Sequence, residues 1–197
     1  MVSVQKFYDY LSSIYPIIDV FLFSQKIKLA KEVNRSPKGK LLEVGVGNGS
    51  ILPLYEEHEV IAIDLSRGML DSAQKNNKNL SNVSFIQMDA SELSFTDHMF
   101  DYVVLSHVIA VVANCEKMLS EVHRVLKPNG KLFVLNHFTP CNTLRYVDKV
   151  CSVFSHLLHF RSIQDDKQFF DQNLFQVVKT IDLGKLSYFK IIVLRKI

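Results

Sequence analysis

The chain has 197 residues, 48% of them apolar, and a formal net charge of only +3. That length supplies one full-sized core, and the absence of repeats or biased tracts excludes solenoid and low-complexity architectures. Cys115, Cys141 and Cys151 form an odd set without Cys-x-x-Cys spacing, so neither a disulfide framework nor a zinc site is expected, and the cysteines read as structural.

Residues 4–34 read as two helices broken at Tyr15-Pro16, because proline is tolerated at a helix start and not in its interior. The first places Phe7, Leu11, Ile14 and Ile18 at helical spacing; the second is apolar on most sides up to Phe23 and then amphipathic through Ile27 and Val33. Charge is concentrated here, with seven bases against three acids in residues 1–40. A basic, apolar-rich leading segment suits an anionic membrane surface, and a solvated helix face has the same composition. Met1–Lys6 lacks the basic-then-apolar order of a signal peptide, and the apolar run Ile17–Phe23, interrupted by Asp19, is too short to span a bilayer. A cytoplasmic location is therefore expected.

Beyond the turn Ser36-Pro37-Lys38-Gly39, strands and helices alternate. The pattern predicts strands at 40–44, 59–63, 83–88, 101–106 and 130–136, with helices at 50–56, 66–77 and 113–126 between them. The last of these strands follows a break at Lys127-Pro128-Asn129-Gly130. Strands separated by helical segments imply parallel βαβ units wound on both faces of a sheet. A long helix follows, with Leu144, Val147, Cys151, Phe154 and Leu158 on one stripe. The chain closes on an antiparallel hairpin, 174–181 and 188–194, turned at Leu183-Gly184-Lys185.

Chemistry gathers at the strand ends. Leu41-Leu42-Glu43-Val44-Gly45-Val46-Gly47-Asn48-Gly49-Ser50 runs an acidic strand into a glycine-rich turn, and Ile61-Ala62-Ile63-Asp64 ends the next strand on a second acid. This is the layout of a nucleoside site at the carboxyl ends of adjacent parallel strands. A dinucleotide site requires Gly-x-Gly-x-x-Gly above a pyrophosphate, whereas here the glycines fall at 45, 47 and 49 with Ser50 after them. Glu43 would disfavour a pyrophosphate and favour a cation. Asp64 is placed to accept both ribose hydroxyls through charge-assisted bonds. Asp89 ends the third strand, where it would accept an adenine amine beside the Ala90 amide, or cap a turn. Met69 would lay its thioether on the adenine face, or fill the core.

The stretch 41–137 resembles the class I S-adenosylmethionine (SAM) methyltransferases. The resemblance is carried by Leu41–Gly49, Ile63-Asp64-Leu65-Ser66-Arg67-Gly68-Met69-Leu70, Met88-Asp89-Ala90 and Glu121–Lys131. Within them, Gly45-Val46-Gly47, Val134-Leu135-Asn136-His137-Phe138 and the tyrosines Tyr8 and Tyr15 look like bacterial phosphatidylethanolamine N-methyltransferases. Asn48 stands where threonine is commoner, and Pro16 follows Tyr15 where the subgroup often has aspartate. The resemblance implies a Rossmann-like α/β fold: a mostly parallel seven-stranded sheet with a C-terminal antiparallel hairpin and an N-terminal helical lid. It implies one domain over 1–197, with 1–35 as lid and membrane contact and 36–197 as catalytic core. SAM is the implied cofactor and S-adenosylhomocysteine the product, with no metal. Its site would comprise Glu43, Gly45, Val46, Gly47, Asp64, Leu65, Met69, Asp89, Ala90 and Ser106.

On the acceptor side, His107 and His137 follow two strand tips as candidate bases or phosphate ligands, and a loop cap explains each equally. Tyr8 and Tyr15 would close over the site with their rings facing a cationic centre, or pack under the first helices. Asn136, Arg145 and Tyr146 are candidate substrate contacts. The implied reaction is stepwise methylation of phosphatidylethanolamine toward phosphatidylcholine by a peripheral enzyme on the inner membrane face, contacting anionic lipid through residues 4–30. A quinone-like or soluble small-molecule acceptor is the alternative, and no nucleic-acid partner is expected because no extended basic stripe is present.

Overall fold

The computed structural model describes the backbone of residues 15–109, 111–137, 170–183 and 189–197, and side chains within them from Leu22 onward except that of His137. Helix α1 (Tyr15–Val33) opens on Pro16, in the first turn that proline tolerates, and leads into β1 (Lys40–Val44). Then follow β2 (Glu59–Asp64), α2 (Arg67–Asn76), β3 (Val83–Gln87), β4 (Phe100–Ser106), α3 (Cys115–Val125), β5 (Leu126–His137), β6 (Phe175–Asp182) and β7 (Phe189–Lys196). Both later helices start where capping chemistry dictates: Ser66 and Asn114 accept backbone N–H bonds from Met69 and Lys117.

The strands form one seven-stranded sheet in the order β3-β2-β1-β4-β5-β7-β6. The first five are parallel, and β7 runs antiparallel between β5 and the edge strand β6. The expected parallel sheet finished by an antiparallel hairpin is the fold observed. Strands β1, β4 and β5 are buried on both faces, as strands covered by helices on each side must be. On one face, Leu42, Val44, Val103, Leu105 and Val134 pack with Met118 and Val122 of α3. On the other, Leu41, Val104 and Phe133 pack with Leu29, Ala30 and Val33 of α1 and Leu70 and Ala73 of α2.

Chain order reverses at β1: β2 and β3 lie to one side of it and β4 and β5 to the other. Ligands of open α/β sheets bind in the crevice outside the strand ends at such a switch point. The glycine turn lies there.

Two boundaries differ from expectation. The predicted helix 50–56 is a single 3₁₀ turn, Leu52–Leu54, and Tyr55 is already extended. Side chains pull the exit straight: the Tyr55 hydroxyl is drawn to Glu43, and Asn34 brackets Leu54 and Glu56 by donating to one and accepting from the other. The break at 127–130 is real but lies inside β5, because Leu126 already pairs with Phe100. A bulge between Phe100 and Tyr102, with Asn129 at φ 62°, absorbs the turn within one ladder. The expected helices over 4–14 and 144–158 lie outside the described residues.

Candidate active site

The turn after β1 needs its glycines for identifiable reasons. Gly45 has φ 66°, and a Cβ there would come 2.5 Å from Cγ2 of Val108, which follows the tip of β4. Gly49 has φ 76° and lies against α2, where a Cβ would meet Asn77 Nδ2 at 2.5 Å and Ala73 Cβ at 3.0 Å. The first glycine therefore lets two strand tips approach, and the third seats the turn on a helix. Asn77 completes that seat by donating to the carbonyls of Gly49 and Ala73.

Asp64 closes the turn from the neighbouring strand. Its Oδ2 accepts the Gly47 amide at 2.9 Å and its Oδ1 the Ser66 amide at 2.9 Å. Each carboxylate oxygen has two acceptor sites, so the side chain keeps capacity for hydroxyl donors. Asp64 is only partly buried, and Leu65 beside it is 40% exposed. The tip of β3 behaves differently. Asp89 is exposed, and its Oδ1 accepts the Ser91 amide at 2.7 Å, which is the turn cap weighed against a ligand role. Ala90 beside it is partly exposed.

Two expected contacts are not open to the crevice. Alternation along β1 puts Glu43 on the same face as Leu41, under α1, and it is 1% exposed. The Tyr55 hydroxyl donates to its Oε2, and burial pushes the carboxyl up to about 8 against the lowering influence of that bond and of Lys26. Glu43 thus supports the turn from beneath instead of presenting a carboxylate above it. Met69 is 2% exposed: its amide bonds the Ser66 cap, and the side chain is buried in the interior, as the core-filler reading requires.

At the tips of β4 and β5, Ser106 and Asn136 are both buried, and the His107 amide donates to the Leu135 carbonyl at 2.8 Å. His107 adopts φ 61°, and its ring meets Phe189 of β7 edge-on at 5.6 Å between centroids. These strand tips therefore bring Ser106, His107 and Asn136 together beside the glycine turn. The side chains of Tyr8, Tyr15, His137, Arg145 and Tyr146 lie outside the described residues.

Sequence reading passed over Lys26, Ser50 and Tyr55. Lys26 is 4% exposed and donates to Ser50 Oγ at 3.0 Å. It had a legible signal, since positions 26, 29, 30 and 33 form the inward stripe of α1 and a lysine there is out of pattern. Tyr55 had none: its partner is twelve residues away and the intervening chain is not regular.

Comparison with known proteins agrees with this architecture. A methyltransferase-domain family profile matches residues 42–134, from β1 into β5. A phosphatidylethanolamine N-methyltransferase from Cereibacter sphaeroides is 38% identical over 144 residues, which cover 71% of this chain and 70% of that protein. A ubiquinone/menaquinone biosynthesis C-methyltransferase from Vibrio parahaemolyticus is 31% identical over 131 residues, 62% of this chain and 50% of that protein. The chain therefore spans about half the length of the quinone-type relatives it matches. Among solved structures, a SAM-dependent methyltransferase from Thermotoga maritima superposes with a TM-score of 0.75 at 21% identity, over 98% of this chain and all of that one, and shows the same fold. The glycine turn, with its Gly47 amide held on the Asp64 carboxylate, suits the cofactor that this family uses, a nucleoside bearing a sulfonium and an ammonium group. The chain belongs to the class I methyltransferases, and its cofactor is S-adenosylmethionine.

Proposed function

We propose that the chain methylates the amine of phosphatidylethanolamine and its partly methylated intermediates at a membrane surface. The observation that carries this reading is the likeness to the Cereibacter sphaeroides enzyme, at 38% identity over 70% of that protein. The exposed part of α1 supports it. Phe23, Lys28 and Lys31 are exposed on the helix, an apolar residue with two cations, as an anionic interface favours. No described helix is long and apolar enough to cross a membrane. In this reading residues 1–35 are the lid and lipid contact, and 36–197 the catalytic core.

Bound SAM would supply an electrophilic methyl group, which the acceptor's lone pair attacks in line as the C–S bond breaks and S-adenosylhomocysteine leaves. The protein's work is to position the acceptor and exclude water. Asp64 would accept the ribose hydroxyls beside the Gly47 and Ser66 amides. The backbone of Gly45, Val46 and Gly47 would form the floor of the cofactor site, and Leu65, Asp89 and Ala90 would border the adenine. An ammonium head group must lose its proton before attack, and in this reading His107, half-buried after the tip of β4, takes it.

The second reading, C-methylation of a quinone-like ring, is favoured by the Vibrio relative at 31% identity. One experiment separates them: labelled methyl transfer from SAM to anionic liposomes containing phosphatidylethanolamine, with a demethylquinone in detergent micelles as parallel acceptor. Label in mono-, di- or trimethylated head groups supports the lipid reading. Label only in the quinone overturns it and leaves the methyltransferase intact.

A further inference from the structure

We infer that Lys26 is a positioning residue through which the seating of α1 on the glycine turn sets cofactor affinity. The inference rests on the family's cofactor and is independent of which acceptor is methylated. Lysine is almost never fully buried unless paired, because its ammonium must be stripped of water. Yet Lys26 is 4% exposed and occupies the same inward stripe as Leu29, Ala30 and Val33. A leucine or methionine at that position would pack against the sheet without the desolvation cost. The polar group there is spent on the turn.

Lys26 touches one end of that turn and acts electrostatically on the other. Nζ donates to the Oγ of Ser50, the residue after Gly49, at 3.0 Å. The same ammonium acts electrostatically on the carboxyl of Glu43, two residues before Gly45. Ser50 is itself part of the turn's internal bonding, since its amide donates to Asn48 Oδ1 at 3.2 Å while Gly49 donates to the Val46 carbonyl at 3.1 Å. Between these fixed ends lies Gly47, whose amide is held on Asp64. Displacing α1 therefore releases Ser50 and loosens the segment that presents backbone to the nucleoside. By linkage, if a docked α1 tightens cofactor binding, bound cofactor must tighten α1 by the same factor.

The test uses the full chain with S-adenosylhomocysteine as probe. Lys26→Met retains an unbranched stem and removes the ammonium. Calorimetry is expected to show its Kd raised about tenfold, that of Ser50→Ala about threefold, and the double variant no weaker than Lys26→Met alone. Hydrogen exchange supplies a readout that a packing role would leave alone. In the wild-type chain the probe slows exchange in residues 22–33, and in Lys26→Met this added protection is lost even where the variant's melting temperature is unchanged. A Kd for Lys26→Met within about twofold of wild type, or equal protection of α1 by the probe in both proteins, overturns the inference. If Lys26→Met does not fold, Ser50→Ala decides the question. Weakened binding with reduced α1 protection supports the link, and wild-type values for both refute it.

Discussion

Replacing Glu43 by glutamine tests the electrostatics beneath the turn most directly. Glu43 is 1% exposed, and burial raises its carboxyl from an ordinary 4.5 to about 8 despite the Tyr55 bond and the nearby Lys26. The folded state thus holds a proton that the unfolded chain releases at lower pH. The sign follows: stability from this group is fully present below about pH 4.5 and is lost as pH rises toward 8. One differential proton changes stability by at most about 1.4 kcal/mol per pH unit, so the loss across that window is on the order of a few kcal/mol. Glutamine has nearly the same shape, still accepts from the Tyr55 hydroxyl and does not titrate. Urea unfolding of both proteins between about pH 5.5 and 8.5 is the assay, and the difference between them removes the contribution of every other group. Glu43→Gln is expected to gain steadily on the wild type as pH rises and to exceed it at the alkaline end. A difference that stays constant within about 0.5 kcal/mol across the range would refute the reasoning, because it would mean that the buried carboxyl carries no folded-state proton.

Three other perturbations address different parts of the molecule. Asp64→Asn turns an amide N–H₂ toward one of two backbone donors and removes the charge from the proposed ribose contacts; S-adenosylhomocysteine affinity by calorimetry is expected to fall about 100-fold, and a loss under about fivefold rejects the assignment. Gly45→Ala combines φ 66° with a Cβ placed 2.5 Å from Val108, so denaturant unfolding should show a loss of about 1–3 kcal/mol together with weaker cofactor binding. Arg124, braced by Glu121 on the same helix, ties α3 to the loop before β4 through Asp97 and the carbonyls of Leu93 and Phe95. Because the flat guanidinium fork makes these bonds together, Arg124→Lys should cost about 1–2 kcal/mol in urea unfolding while leaving cofactor affinity unchanged.

The βαβ core was legible because its signals are local and repeated. Apolar runs ended at acids, Ser66 and Asn114 capped helices in place, and Pro16 marked the start of α1. The errors came where distant side chains decide local geometry. A helical pattern at 50–56 yielded to a phenol reaching Glu43 and to Asn34 holding the exit from the far side of β1. The Lys127–Gly130 turn was recognised, but not that it would bulge out of β5 while Leu126 and Lys131 on either side stay paired with β4. Side-chain direction at the site was harder still. Met69 sits one turn into a helix beside the crevice, and only the packing of α2 decides that its thioether is buried.

Glu43 and Asp64 carry the same chemistry at adjacent strand tips, and the fold gives them opposite work. Asp64 ends β2 at the sheet margin, partly open, with two amide donors that stabilise its charged form. Glu43 lies one residue inside the end of β1, where the strand's alternation turns it under α1 and a phenol replaces water. The first is equipped to hold hydroxyls as a carboxylate; the second is shaped to remain protonated near neutral pH and to anchor Tyr55. A pattern of acids at successive strand ends therefore marks the crevice, while strand register and burial determine which of them is open there. Lys26 lies on the same side of the sheet as Glu43, and its ammonium donates to Ser50 and hence to the turn.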